Sequence, residues 1–377
     1  MTATDARAAA RAVIAALDPV WIEPAIVQPA ALYLELLGED VRRRALMVQD
    51  DDGAELCLRP DMTVPALRAA LAAKPRPAIV AYDGPVFRKQ AAGSLREAEF
   101  IQIGAEWLGQ DWAPGAGPEP EIVARALEGC RAVGVEPALK LGDAALVRAF
   151  VQACGIAEPW QGRVVRAAAS ADPATRLAAL AQTSAPQADA LARAAAAMDE
   201  DHARGLIDDV LSLAGVTAVG GRAVEDIVAR VRARAAQSRE AAPSAEALRL
   251  LAALVAIDAP LAEGVAEMER LLDHPALVAR GEAQRAAGAV VAQLAALGAR
   301  VDLPAQTHFA PALARNVGYY DGLVFELEHK PLGERASLGG GGRYDALARR
   351  IGGDAAVCGA GFVLRPERLA QAAGRGA

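Results

Sequence analysis

The chain has 377 residues, with 40 Lys or Arg against 47 Asp or Glu, and a formal net charge of −7. Hydrophobic residues make up 53% of it and aromatic residues 4%, enough apolar surface for two or three packed domains, which excludes a disordered or low-complexity chain. The acidic balance argues against a general nucleic-acid binder, because neutralising phosphates needs a basic field.

Four cysteines (Cys57, Cys130, Cys154, Cys358) form no CxxC pair, and four histidines (His202, His274, His308, His329) lie far apart. That spacing argues against a disulfide framework and against a metal site with close ligand pairs, and it fits reduced thiols in the cytoplasm. Residues Met1 to Leu17 mix acids and arginines with short Ala runs and lack the apolar centre of a signal peptide. No uncharged run reaches the roughly 18–20 residues of a membrane span.

In chain order, Ala8 to Leu17 reads as a short helix ending near Asp18-Pro19, and a helical patch follows around Leu32 to Leu37. Leu46-Met47-Val48, then Asp50-Asp51-Asp52-Gly53, then Leu56-Cys57-Leu58 predicts a hairpin, since Asp-Gly accepts the positive φ of a tight turn. A helix is predicted from Thr63-Val64-Pro65, with Pro in a first turn, through Leu67 and Leu71. Ala78 to Tyr82 and Val86 to Lys89 read as two short strands.

The clearest strand is Glu99 to Leu108. Its alternation puts Ile101, Ile103, Ala105 and Trp107 on one face, and Phe100, Gln102, Gly104 and Glu106 on the other. The second face is either a solvent-facing stripe or a ligand-facing surface, and the pattern alone allows both. After the break at Gln110 to Pro120, a helix is predicted over Glu121 to Val133, a strand at Lys140 to Gly142 and a helix over Asp143 to Cys154.

From about Trp160 to Arg300 the texture is helical and Ala-rich. Leu206, Val210, Leu211 and Leu213, and likewise Val224, Ile227, Val228 and Val231, sit at helical spacing and read as core stripes. Strand character returns at Leu323 to Glu328 and Ala356 to Leu364, around the run Gly339 to Gly342, and Pro366 to Ala373 closes as a helix. The layout is α+β with a helical insertion, not the βαβ repeat of a dinucleotide-binding chain.

Three polar clusters interrupt apolar segments: Arg59 to Thr63, Arg88 to Gln90 leading through Arg96 and Glu97 to Gln102 and Glu106, and Arg315 to Asp321. None holds a His or Cys, so no nucleophile–base set assembles. The glycine run matches neither phosphate-loop pattern and suits close approach to a ligand or a neighbouring strand. Carboxylates, Arg, Gln, Thr and Tyr are groups that recognise an amino acid, carboxylates accepting from an ammonium group and Arg pairing with a carboxylate.

The stretches LRPDMT, FRKQAAGSLREAEFIQIGAEW, RNVGYYDGLVFE, GGGGRYDALARRIGG and GAGFVLRPERL occur here in the order and spacing of histidyl-tRNA synthetases. Over about residues 10–155 and 300–373 the chain resembles that branch of the class II aminoacyl-tRNA synthetase family. The resemblance implies a class II core (1–155 and 300–377) of antiparallel sheet flanked by helices, dimeric, with a helical insertion (156–299) between motifs 2 and 3. It also implies a histidine pocket: Asp61 and Thr63 for the amino group, Arg88 for the carboxylate or an α-phosphate, Gln102, Glu106 and Arg315, and Tyr319 and Tyr320 for the imidazole.

The chain departs from that pattern on the nucleotide side. Gln90 stands where motif 2 carries the Glu that contacts adenine, Arg365 stands where motif 3 carries a glycine lining the nucleotide site, and Gly318 replaces an acid, while Arg96 and Arg368 remain. The sequence also stops soon after Arg368, without the anticodon-binding domain of the synthetases. A kept histidine pocket with an altered nucleotide site is similar to the family's paralogues that serve as regulatory subunits of ATP phosphoribosyltransferase.

That branch implies a non-catalytic partner of a short catalytic subunit, in a hetero-octamer, needed for activity and for feedback by L-histidine. It implies no catalytic residue, cofactor or metal, no tRNA and no membrane. The alternatives are a truncated histidine-activating ligase forming histidyl-adenylate, which Arg88, Arg315 and Arg368 favour, and an interaction protein with a vestigial pocket.

Overall fold

The structure is a computed structural model describing residues 1–37, 44–51, 53–112, 117–168, 170, 172–181, 190–213, 227–229, 231, 242–278, 280–313 and 319–374. It divides into two compact units, one of residues 1–146, 257–270 and 284–377, the other of 147–256 and 271–283. The described strands are β1 (Val20–Trp21), β2 (Val27–Pro29), β3 (Leu46–Gln49), β4 (Glu55–Leu58), β5 (Ile79–Phe87), β6 (Glu99–Gln110), β7 (Ala138–Asp143), β8 (Ala259–Pro260), β9 (Thr307–Phe309), β10 (Leu323–Glu328), β11 (Ser337–Arg343) and β12 (Val357–Leu364). All of them belong to the first unit.

Nine strands form one sheet in the order β1-β5-β6-β12-β11-β10-β7-β9-β8, and β2-β4-β3 form a second, smaller one. The centre of the large sheet is antiparallel as expected, while β1–β5 and β7–β9 pair in parallel, so the sheet is mixed. Helices Ala3–Ala15, Glu119–Arg131 and Pro366–Ala373 pack on one another and on β6, β11 and β12. Helices Thr63–Ala72 and Asp345–Gly352 meet around a core of Tyr33, Leu67, Val80, Leu108, Tyr344 and Leu347. Among the described residues no helix is long and apolar enough to cross a membrane.

Most of the expected elements are present, and the differences have local causes. The first helix starts five residues before the expected Ala8, because Thr2 and Asp5 form a reciprocal capping box that satisfies its free N–H groups. The two short strands expected around Gly84-Pro85 are one continuous β5. Among the described residues β1 pairs with Val80 and Ala81 of β5, so Pro85 lies beyond that ladder and its missing N–H costs no bond in it.

The four-glycine run lies in the middle of β11. There it serves close approach to neighbouring strands, since a Cβ at Gly341 would collide with the carbonyl of Gly361. In the second unit, Leu206, Leu211, Ile227 and Val231 pack around Ala195, Ala203, Ile207 and Val228. Val210 and Leu213 leave the expected stripe, Leu213 being 87% exposed, and Val224 lies outside the described residues.

On β12, Gly361 pairs with Glu106 of β6. A Cβ at Gly361 would land on the Glu106 carboxylate and crowd the Ala105 carbonyl. Gly361→Ala should therefore destabilise the protein by about 3 kcal/mol in urea denaturation. Gly288→Ala, in a helix with open space around its Cβ, should leave stability unchanged or raise it by up to about 1 kcal/mol.

Candidate ligand pocket

The polar face of β6 is buried, which excludes the solvent-facing stripe: Gln102 is 3% and Glu106 1% exposed. The Gln102 Oε1 accepts from the backbone N–H of Met62 at 3.0 Å, and Asp61 Oδ1 accepts from Val64 N–H at 3.1 Å. Both bonds take donors at the start of Thr63–Ala72, and the one from Gln102 pins that start to the sheet. Asp61 and Thr63, far from Gln102 and Glu106 in sequence, are thereby brought to one place.

The preceding residues are fixed as firmly. Arg59, 2% exposed, donates from Nε to the Pro85 carbonyl at 2.8 Å and from a terminal nitrogen to the Pro24 carbonyl. Arg88 donates from Nε to the Pro60 carbonyl at 2.7 Å and lies 5.2 Å from the centre of the Phe100 ring. Burial pushes the Arg88 guanidinium down to about 10, with Arg44 opposing its charge and Asp61 and Tyr319 supporting it. Burial likewise raises Asp61, against the pull of the Val64 N–H, Arg88 and Arg44.

At the other end, Glu106 accepts from the Tyr82 hydroxyl at 2.8 Å and from the Tyr344 hydroxyl. Loss of water pushes its carboxyl up to about 7, although hydrogen bonds from Tyr344, Thr63 and Tyr82 pull it back and the Asp61 charge adds to the rise. Tyr319 and Tyr320 are half-buried, their ring centres 4.9 Å apart, and Tyr319 meets the Tyr344 ring edge-on at 5.9 Å. Burial raises the phenols of both, so they stay neutral donors near neutral pH.

Of the sequence-expected site residues, Asp61, Thr63, Arg88, Gln102, Glu106, Tyr319 and Tyr320 come together here, and Arg315, like Gly318, lies outside the described residues. Sequence reasoning missed Tyr82 and Tyr344, the two hydroxyls that hold Glu106. Tyr344 lies within the quoted GGGGRYD stretch. Tyr82 could be found only from register, since β5 pairs Val80 with Glu106 and so sets Tyr82 diagonal to it. The arrangement has a carboxylate-and-tyrosine end and an arginine end, which suits a small zwitterion with a polar ring. Among the described residues no group of His, Cys, Asp and Glu could hold a metal ion.

The altered nucleotide-side residues are also placed. Gln90 donates from its side-chain amide to the Glu97 carbonyl at 3.0 Å. Arg365 stands 4.6 Å over the Phe100 ring. Arg368, 3% exposed, donates to Glu97 at 2.8 Å and to the Ser337 carbonyl at 3.0 Å.

Comparison with known proteins places this architecture first among class II synthetase-like folds: the family model described as histidyl-tRNA synthetase matches residues 21–235 and 202–369. A crystal structure titled as an ATP phosphoribosyltransferase regulatory subunit/histidyl-tRNA synthetase from Bacillus halodurans C superposes with a TM-score of 0.62 at 19% identity, covering 98% of this chain and 78% of that one. A histidine–tRNA ligase subunit from Alicyclobacillus acidocaldarius gives a TM-score of 0.62 at 21% identity, covering 99% and 93%.

Relatives at higher identity narrow the assignment. The ATP phosphoribosyltransferase regulatory subunit of Rhizobium meliloti (strain 1021) is 33% identical over 94% of this chain and 93% of its own length. That of Sinorhizobium medicae (strain WSM419) is 32% identical over the same shares. The chain belongs to the histidyl-tRNA synthetase-like family of ATP phosphoribosyltransferase regulatory subunits.

The Glu106 environment sets a pH signature. The folded state binds the Glu106 proton more tightly than an ordinary glutamate at 4.5, so its ionisation costs nothing below about pH 4.5 and costs progressively more up to about pH 7. Glu106→Gln should match the wild type in denaturant stability near pH 4.5 and exceed it by up to about 3 kcal/mol at about pH 8. A constant difference across that range would contradict this account of the carboxylate.

Proposed function

We propose that the chain acts as a histidine-sensing regulatory subunit of ATP phosphoribosyltransferase, required for activity of a short catalytic subunit and for its feedback inhibition by histidine. The observation that carries the reading is the buried pocket whose one end is Glu106 among tyrosines and whose other end is arginine. Asp61 and Thr63 would take the ligand's ammonium, Gln102, Glu106, Tyr319 and Tyr320 its imidazole and surrounding polar contacts, and Arg88, with Arg315, its carboxylate. The relatives' shared name supplies the enzyme concerned.

Regulation follows from differential binding. Histidine would favour a less active conformation of the complex, by no more than the difference in its affinity for the two conformations. No residue is assigned a catalytic role, and no cofactor, metal or tRNA is invoked. A homodimer through the synthetase-like core, a hetero-octamer with the catalytic subunit, a cytoplasmic location and the helical insertion at 156–299 complete the proposal.

The competing reading is a histidine-activating ligase. Arg365 over Phe100 and Gln90 turned to the Glu97 carbonyl weigh against it, because a cation already covers the ring and Gln90 is bonded within its own segment.

Mixing the chain with the short catalytic subunit from the same organism should raise the rate of phosphoribosyl-ATP formation, and histidine should reverse the rise. In the Glu106→Ala complex the histidine concentration for half-inhibition should rise about 10- to 100-fold, with assembly retained. Unchanged histidine sensitivity in a folded Glu106→Ala complex would remove the pocket from the mechanism. No activation on mixing, together with histidine-dependent ATP–pyrophosphate exchange by this chain alone, would establish the ligase instead.

A further inference from the structure

Arg365 is the N-terminal cap residue of helix Pro366–Ala373, and its backbone N–H donates to the Leu338 carbonyl at 2.8 Å. Its side chain is half-buried, yet among the described residues its guanidinium forms no hydrogen bond or ion pair, only the stacking on Phe100. Arg88 shares that ring, 5.2 Å from its centre, and its two terminal nitrogens form no hydrogen bond among the described residues, only Nε being spent on Pro60.

Among the described residues no carboxylate forms a hydrogen bond or ion pair with either guanidinium. Glu97 is committed to Arg368 at 2.8 Å, with Arg335 at 3.9 Å. One oxygen of Glu367 accepts from Ile101 N–H at 3.0 Å. Burial and the charges of Arg88 and Arg368 oppose the Arg365 cation, with Glu326 and Glu97 supporting it, and Asp61 supports the charge of Arg88. Two half-buried guanidiniums with unused donors, set on one aromatic ring, make a favourable place for an anion that would join them. Arg88 also faces Asp61 and Tyr319, so this end is continuous with the pocket.

We infer that Arg365 is a specificity-determining residue, which joins Arg88 in reading the free α-carboxylate of the amino acid held by the pocket. The inference rests on the histidine-sensing reading above. It changes the meaning of the site: an enzyme that activates an amino acid must leave that carboxylate open to a second substrate, whereas here a cation closes the same end. The closed site measures the free amino acid and rejects analogues in which the carboxylate is reduced or esterified.

The test is calorimetric titration of the full chain with L-histidine and with L-histidinol, which keeps the imidazole and ammonium but lacks the carboxylate. The wild type should prefer histidine. Arg365→Gln should lower histidine affinity about 10- to 100-fold while changing histidinol affinity less than about twofold, and Arg365→Lys, which keeps the charge, should recover part of the preference.

Equal histidine affinity in wild type and Arg365→Gln would overturn the inference. So would an equal loss for both ligands, which would mark Arg365 as a packing residue. Glu106→Ala separates the two levels. If it abolishes histidine binding while Arg365→Gln does not weaken it, the pocket stands and the role of Arg365 falls. If Glu106→Ala binds histidine like the wild type, the pocket reading falls and the inference with it.

Discussion

The pocket depends on one buried carboxylate. Glu106 sits on the inner strand β6 with the Tyr82 and Tyr344 hydroxyls donating to it, and on the neighbouring strand β12 Gly361 leaves it room. Burying a carboxylate is expensive unless hydrogen bonds replace the lost water, and a larger residue at Gly361 would remove the space it needs. Other features follow from that constraint. β6 and β12 run closely paired beneath it, and Tyr344 is held by its own N–H to the Gly359 carbonyl at 2.8 Å. The Tyr319 and Tyr320 rings gather against Tyr344.

The opposite end is organised by arginines in graded states of commitment. Arg59 is spent on carbonyls, Arg368 on Glu97 and Ser337, and Arg88 in part on Pro60. Among the described residues the Arg365 guanidinium meets an aromatic face and no hydrogen-bond partner. The polarity along the pocket, acid and tyrosine to arginine, matches a zwitterion better than a nucleotide.

Much of this was legible in the sequence where the signal is local. Two-residue alternation in Glu99 to Leu108 put Gln102 and Glu106 on one face, and the turn chemistry of Asp50 to Gly53 fits the hairpin of β3 and β4. What escaped was set at long range. Tyr82 and Tyr344 meet Glu106 through strand register and across 238 positions of chain, and nothing in their neighbours' pattern points to a carboxylate. The glycine run read as a close approach to a ligand or a neighbouring strand, and the crowding at Gly341 is of the second kind, a choice composition alone does not make. The stripe through Val210 and Leu213 failed because helical spacing predicts a face but not how far along the helix that face stays covered.

In the proposed role, one pocket, bounded by Glu106 at one end and Arg88 with Arg365 at the other, holds free histidine. A crystal structure of the chain grown with L-histidine tests this directly. Density is expected for the amino acid with its imidazole among Glu106, Tyr319 and Tyr320 and its carboxylate toward Arg88 and Arg365. Histidine bound elsewhere with this pocket empty, or bound here with its carboxylate turned away from both arginines, would contradict it.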